Sequence, residues 1–442
     1  MFLALAACSS TTIINHVGGD ADGGVDETDG GVATDDGGTT TTKDAGTTKK
    51  DAGVQTGSNP QPLPIVPFNG GTVLANISLV TVTFDGDSFR SNIEAFDSTI
   101  GTTAWWNAAR AGYCDAKGNC VGPATPHATK PTVHLAAGAL QNSYTDSASG
   151  GGSSIKTMID TNIKNGTFPT PTPNTLYNLY FPASTTINLD GTPSCQGFGG
   201  YHNSMTSGGV TFAYSIMPRC STGMGTQADF DYLTTAASHE LAEAATDPFI
   251  STDPQSPYTG FGGFTDAWDV PAGGEVGDRC FDLGGTGADL YKEGKYTVQR
   301  IWSNGAAKLG HDPCVPAPAP ATEPYYNVAT LASTGDVISI AIGGTATIPI
   351  QAISDAPIAG QLAFDAIEIT QQLGKGSNVL SVVSTSPAGG GIYVGAKGSV
   401  TVKLNSNPTQ GVALLLLRAQ RFNSGGSPIG SGHYWPVIVQ AQ

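Results

Sequence analysis

The chain has 442 residues, of which 13% are charged, and its 36 acidic against 20 basic side chains give a formal net charge of −16. Phosphate binding needs clustered Lys and Arg, so nucleic acid is excluded as an expected partner. The length is too great for one ordinary domain, and the acidic, Gly-rich and Thr-rich composition suits a secreted bacterial protein.

Leu5-Ala6-Ala7-Cys8 has the pattern of a bacterial lipobox, in which the cysteine is lipidated and becomes the mature N-terminus. The apolar run before it, Met1 to Ala7, is short and lacks a basic n-region, which suits a true start upstream of the given one; the alternative is an ordinary apolar N-terminus. Residues 1–8 are therefore expected to be a signal remnant. A lipid anchor on Cys8 would tie the protein to a membrane, with a bacterial outer membrane, cell-surface or extracellular location. From Gly18 to Pro62 the sequence is Gly, Asp, Thr and Ala with almost no large apolar residue, so it cannot bury enough surface to offset chain entropy. Residues 9–62 are expected to form a flexible tether. No apolar run approaches the length a bilayer requires.

A first globular block is expected over 63–314. Ile77 to Phe84 (ISLVTVTF) is rich in β-branched residues and reads as a strand, and Ser88 to Ile100 and Thr103 to Ala111 read as helices. Thr132 to Leu135, Leu176 to Phe181 and Val210 to Met217 read as strands, Ser154 to Lys164 and Phe230 to Thr246 as helices. Asp247-Pro248 should end the last helix, because the residue before proline is pushed out of the helical region. Alternating strands and helices argue for a mixed α/β layer structure. Val315 to Pro324 (VPAPAPATEP) is a semi-rigid linker over 315–324. Beyond it, over 325–442, Val337 to Ile342, Thr345 to Ile350, Leu362 to Ile369, Asn378 to Val383, Ser399 to Leu404 and Val412 to Leu417 are short strands separated by turn residues. They suggest an all-β sandwich resembling immunoglobulin-like modules.

Setting Cys8 aside leaves six cysteines, an even number that suits structural disulfides in an oxidising compartment. Spacing alone favours nearest neighbours, Cys114 with Cys120, Cys195 with Cys220 and Cys280 with Cys314, although six cysteines allow about fifteen connectivities.

Ser238-His239-Glu240-Leu241-Ala242-Glu243 carries the chemistry. Residues four apart on a helix lie one above the other, so His239 and Glu243 can hold one metal ion, with Glu240 beside them. Leu233, Ala237 and Leu241 make an apolar stripe on the far side. The pattern resembles the HExxH helix of zinc metallopeptidases, with glutamate in place of the second histidine. A catalytic zinc takes three protein ligands and a water. The third ligand is expected from Gly274-Glu275-Val276-Gly277-Asp278-Arg279-Cys280, with Glu275 the first choice and Asp278 the second. Glu240 would be the general base. His202, beside Tyr201 in a Gly-rich turn, could be a further ligand, a transition-state donor or a structural histidine. Asp266 and Asp269, flanking Trp268, could bind calcium through oxygen ligands, without EF-hand spacing.

SHELAEAATDP, GGEVGDRC and Gly200-Tyr201-His202 together resemble the EXORDIUM or phosphate-induced protein family of plants and its bacterial relatives, which carry GYH, HELAE and EIGD-x-C segments in the same order. The resemblance covers roughly Asn76 to Cys314. Gly199 stands where plant members often carry a cysteine. The resemblance implies an extracellular location more firmly than a reaction.

Two functions follow. The first is a secreted or surface-anchored zinc-dependent peptidase, a zincin-like α/β (α+β) domain followed by the immunoglobulin-like sandwich, acting on a protein or peptide substrate. The second is a relative without activity that serves as an extracellular adhesion or signalling module.

Overall fold

The computed structural model describes residues 60–147, 152–250, 252, 257–258, 267–268, 274–280, 289–317, 324–370 and 376–442. The lipobox at Cys8, nearly all of the tether, Asp266 and Asp269 lie outside the described residues. No helix among the described residues is long and apolar enough to cross a membrane.

A six-stranded sheet organises the first block. Ala124–Pro126, Ile77–Phe84, Thr175–Phe181 and Val210–Pro218 lie side by side and parallel, Thr132–Leu135 also pairs with Ile77–Phe84, and Tyr201–Ser207 closes the far edge antiparallel to Val210–Pro218. Burial on both faces explains why ISLVTVTF is a continuous β-branched run rather than an alternating one. Ile77 and Leu79 join one core, while Val80, Val82 and Phe84 join the other. Helices α1 (Arg90–Ile100), α2 (Ala104–Ala109) and α4 (Thr226–Thr246) share the first of these cores, and α3 (Ser154–Lys164) covers the second through Ile155 and Ile159.

The helices expected at Ser88 to Ile100 and Thr103 to Ala111 are shorter than their patterns, and the one expected from Phe230 begins at Thr226. Proline ends α4 as expected, with Asp247 as its C-cap. Tyr201–Ser207 corrects the Gly-rich turn assigned around His202: the segment is a strand. The turn lies beyond it, where Gly208 and Gly209, at φ +57° and +81°, close a hairpin that pairs Ser207 with Val210. The strand was hidden because Asn203 and Ser204, buried yet polar, break its apolar pattern; Asn203 donates to the Ser147 carbonyl, and the Ser204 hydroxyl meets that of Thr252.

Two further sheets face each other in the C-terminal region. One is antiparallel in the order Tyr326–Thr330, Thr345–Ser354, Lys397–Leu404 and Leu380–Ser386. The other runs Val337–Ile340, Pro428–Ala441, Val412–Phe422, Gln361–Glu368 and Gly391–Tyr393. Val328, Ile348, Val400 and Val402 from the first meet Leu415, Leu417, Trp435 and Val437 from the second in one core. The chain is therefore mostly β. Tyr326–Thr330 and Pro428–Ala441 carry no run that sequence reading had marked, since Gly and Pro break the second.

The two regions are packed together. Trp268 lies edge-on to Trp302 and Trp435, with ring centroids 5.0 and 5.4 Å apart. Pro60 and Gln61, placed in the tether by composition, bridge to Leu331 and to the Thr330 carbonyl. Disulfides join Cys114 to Cys120, Cys195 to Cys220 and Cys280 to Cys314, the nearest-neighbour pattern. Three such bridges fit an extracellular or surface protein.

Candidate metal centre

Helix α4 lies against the Tyr296–Gln299 strand on one side and against Val210–Pro218 and Tyr201–Ser207 on another. It is enclosed nearly all round rather than amphipathic: Leu233, Ala237 and Leu241 are buried, and so are His239, Glu240 and Glu243. Buried polar side chains must find partners. Those partners come from the edge strand through His202, from 274–280 through Glu275 and Asp278, and from the Tyr296–Gln299 strand through Gln299.

Segment 274–280 is fixed at its end by the Cys280–Cys314 disulfide and in its middle by the Trp302 amide, which donates to the Val276 carbonyl at 3.2 Å. Gly277 passes so close to α4 that a Cβ there would stand 2.7 Å from Glu243 Oε1 and from the His239 ring. A side chain there would push this crossing apart. The crossing brings Asp278 Oδ1 to 3.8 Å from His239 Nε2, which is itself 2.9 Å from Glu243 Oε1. Glu275 goes to the other side, where its Oε1 is 3.6 Å from His202 Nε2. Sequence reading preferred Glu275 as the partner of His239 and Glu243; Asp278 occupies that place, and Glu275 sits with His202.

Hydrogen bonding sets the tautomer of His239. Gln299 Nε2 donates to the Gly277 carbonyl at 2.6 Å, which turns Gln299 Oε1, an acceptor only, toward His239 Nδ1 at 2.9 Å. Nδ1 therefore carries the proton, and Nε2 is left facing Glu243 and Asp278. Gln299 is itself held, since its backbone amide donates to Ser238 Oγ and its carbonyl accepts from Trp105 Nε1. No sequence motif announced Gln299. On the other side, His202 Nδ1 is 3.4 Å from Glu240 Oε2 and 3.7 Å from Glu243 Oε2.

Burial raises the Glu240, Glu275 and Asp278 carboxyls, and the Glu243 carboxylate adds to the rise in each. Burial opposes charge on the histidines as well. Even so, Glu275, Glu240 and Glu243 hold His202 up at about 10, and Glu243, Glu240 and Asp278 hold His239 well above its ordinary value. The site attracts positive charge. Glu275 Oε1 is buried and accepts no hydrogen bond, and Glu243 Oε1, also buried, lies 2.9 Å from His239 Nε2. Two groups of donors, His239 with Glu243 and Asp278 and His202 with Glu243 and Glu275, each have ligand atoms within 4.8 Å of one another. Imidazole and carboxylate donors suit zinc, and an orphaned buried oxygen fits a cation better than it fits a hydrogen-bonded core.

No family model and no curated protein matches the chain. Among solved structures, domains 4 and 5 of the S-layer protein SbsC are 17% identical over 27% of this chain and 54% of that one, with a TM-score of 0.18. A structure of SbsC domains 1–6 is 16% identical over 27% of this chain and 14% of that one, at the same score of 0.18. The chain thus spans about half the length of the first of these and far less of the second, and scores this low carry no argument about fold or activity.

Proposed function

We propose that the protein is a secreted or surface-anchored hydrolase of peptide bonds that uses a divalent cation, zinc by donor chemistry, held by His239, Glu243 and Asp278. In this reading the first block is zincin-like, the two facing sheets form an immunoglobulin-like module, and Cys8 with its tether anchors the chain. The ordered GYH, HELAE and EVGD-x-C segments support kinship with EXORDIUM-like proteins. One observation carries the proposal: His239 is pinned through Nδ1 by Gln299, so that Nε2 faces two carboxylates rather than a hydrogen-bond donor. Outer partners of this kind orient metal-binding histidines.

Bound there, the cation supplies Lewis acidity toward a carbonyl oxygen and lowers the pKa of a water. Glu240, the next residue along α4, takes a proton from the attacking water and returns it to the leaving amine. Glu240 Oε2 is kept in place beside His202 Nδ1, and Gly200 leaves room at Oε1, since a Cβ there would meet that oxygen at 3.1 Å.

Peptide cleavage by the wild type and by Glu240→Gln, each with and without a chelator, tests the proposal. Turnover that needs both the carboxylate and the metal supports it. Equal, negligible turnover in all four conditions replaces it with the inactive adhesion or signalling module.

A further inference from the structure

The imidazole of His202 repeats, on the opposite side of Glu243, the arrangement seen at His239. His202 Nε2 lies 3.1 Å from the backbone carbonyl of Asp247, and a carbonyl only accepts, so Nε2 carries the proton. Nδ1 faces two carboxylate oxygens, Glu240 Oε2 at 3.4 Å and Glu243 Oε2 at 3.7 Å. Both histidines are thus anchored through one ring nitrogen by a carbonyl-type oxygen, Gln299 Oε1 or Asp247 O, and both turn the other nitrogen toward carboxylate oxygens. Glu243 stands between them, with Oε1 toward His239 and Oε2 toward His202.

We propose that the centre holds two divalent cations bridged by the Glu243 carboxylate, one with His239 and Asp278 and the second with His202 and Glu275. The proposal rests on the His239 site described above and adds the His202 site. A second observation points to the second ion: Glu275 Oε1, on a residue only 9% exposed, accepts no hydrogen bond and lies 3.6 Å from His202 Nε2. Glu240, Glu243, Glu275 and Asp278 have side chains only 2, 4, 12 and 13% exposed, so water screens their mutual repulsion little. Paired cations bridged by a shared ligand hold attacking and leaving groups together in hydrolytic sites.

The full chain, stripped with a chelator and dialysed, is titrated with Zn2+ by calorimetry and checked by elemental analysis. Two equivalents in the wild type and one in His202→Ala are expected. A single equivalent in the wild type overturns the second site and leaves the His239 site standing; no uptake overturns both. Two equivalents retained in His202→Ala place the second ion elsewhere and also overturn the proposal. Anomalous scattering at the zinc edge from wild-type crystals needs no variant: two peaks flanking Glu243 are expected, and one peak overturns the pair.

Discussion

Gln299 holds His239 from behind: its side-chain oxygen lies 2.9 Å from Nδ1, while its side-chain nitrogen donates at 2.6 Å to the carbonyl of Gly277. One amide thus fixes the ring of a residue on α4 and the backbone of the segment that carries Asp278. Removing it should free both donors at once. Outer-sphere partners of metal-binding histidines contribute about 10–100-fold in affinity. Gln299→Ala is therefore expected to weaken zinc binding by about that factor. Competition with a chromophoric chelator measures it, and an unchanged affinity would show that Gln299 has only a packing role.

Glu240 should separate chemistry from binding. Its place next to His239 on α4 gives it access to the site without making it a member of the donor group His239, Glu243 and Asp278. Glu240→Gln should retain zinc at wild-type stoichiometry and lose about 10²–10⁴-fold in turnover, the range ascribed to a positioned general base. Loss of the metal in this variant would assign Glu240 to the ligand set instead.

How much of this was legible in the sequence depended on whether a residue acts through local spacing. His239 and Glu243 are one helical turn apart, and that spacing alone places them together. Ile77–Phe84, Thr132–Leu135 and the end of α4 at Asp247-Pro248 follow equally local rules. Gln299 was invisible because it acts across 60 residues of chain, and an isolated glutamine in YTVQ carries no pattern. The division of labour between Glu275 and Asp278 was hidden for a different reason. Both carboxylates lie in one short segment, and only the passage of Gly277 over α4 decides which faces which histidine. The strand of His202 does not show in the sequence because it is buried yet polar, with Asn203 and Ser204 satisfied by distant partners.

Gly277 and Gly200 allow a graded test of how tightly the site is built. A methyl group at Gly277 would meet Glu243 Oε1 and two atoms of the His239 ring, all at 2.7 Å, and Gln299 prevents that ring from yielding. The segment carrying Asp278 must then move. Gly277→Ala should cost about 1–3 kcal/mol, as overpacking of a filled core does, and should abolish high-affinity zinc binding. At Gly200 the methyl group would meet Cγ and Oε1 of Glu240, both at 3.1 Å, a looser contact that a shift of this side chain by a few tenths of an ångström relieves. Gly200→Ala should keep its stability and its zinc while losing turnover. Thermal melts with and without zinc distinguish the two, and equal behaviour of the variants would refute the graded crowding.

Asp97 gives a pH dependence that owes nothing to the metal centre. It lies on α1 beneath the main sheet, accepting hydrogen bonds from Thr81 Oγ1 at 2.9 Å and Tyr180 Oη at 2.7 Å, with Asn178 Nδ2 at 3.4 Å. Burial raises its pKa from 3.8 to about 6, and these donors only partly offset the rise. The folded state therefore holds the proton more tightly than the unfolded chain does. The stabilisation is fully present below about pH 4 and is lost as the pH rises through about 6. A gap of about two pH units corresponds to about 3 kcal/mol. Asp97→Asn removes the titration while keeping one acceptor for the hydroxyls. Urea midpoints measured from pH 4 to 7 should fall more steeply with pH in the wild type than in Asp97→Asn. Since every other carboxyl group is common to both proteins, the difference in slope isolates this residue, and parallel profiles would show that Asp97 ionises as readily folded as unfolded.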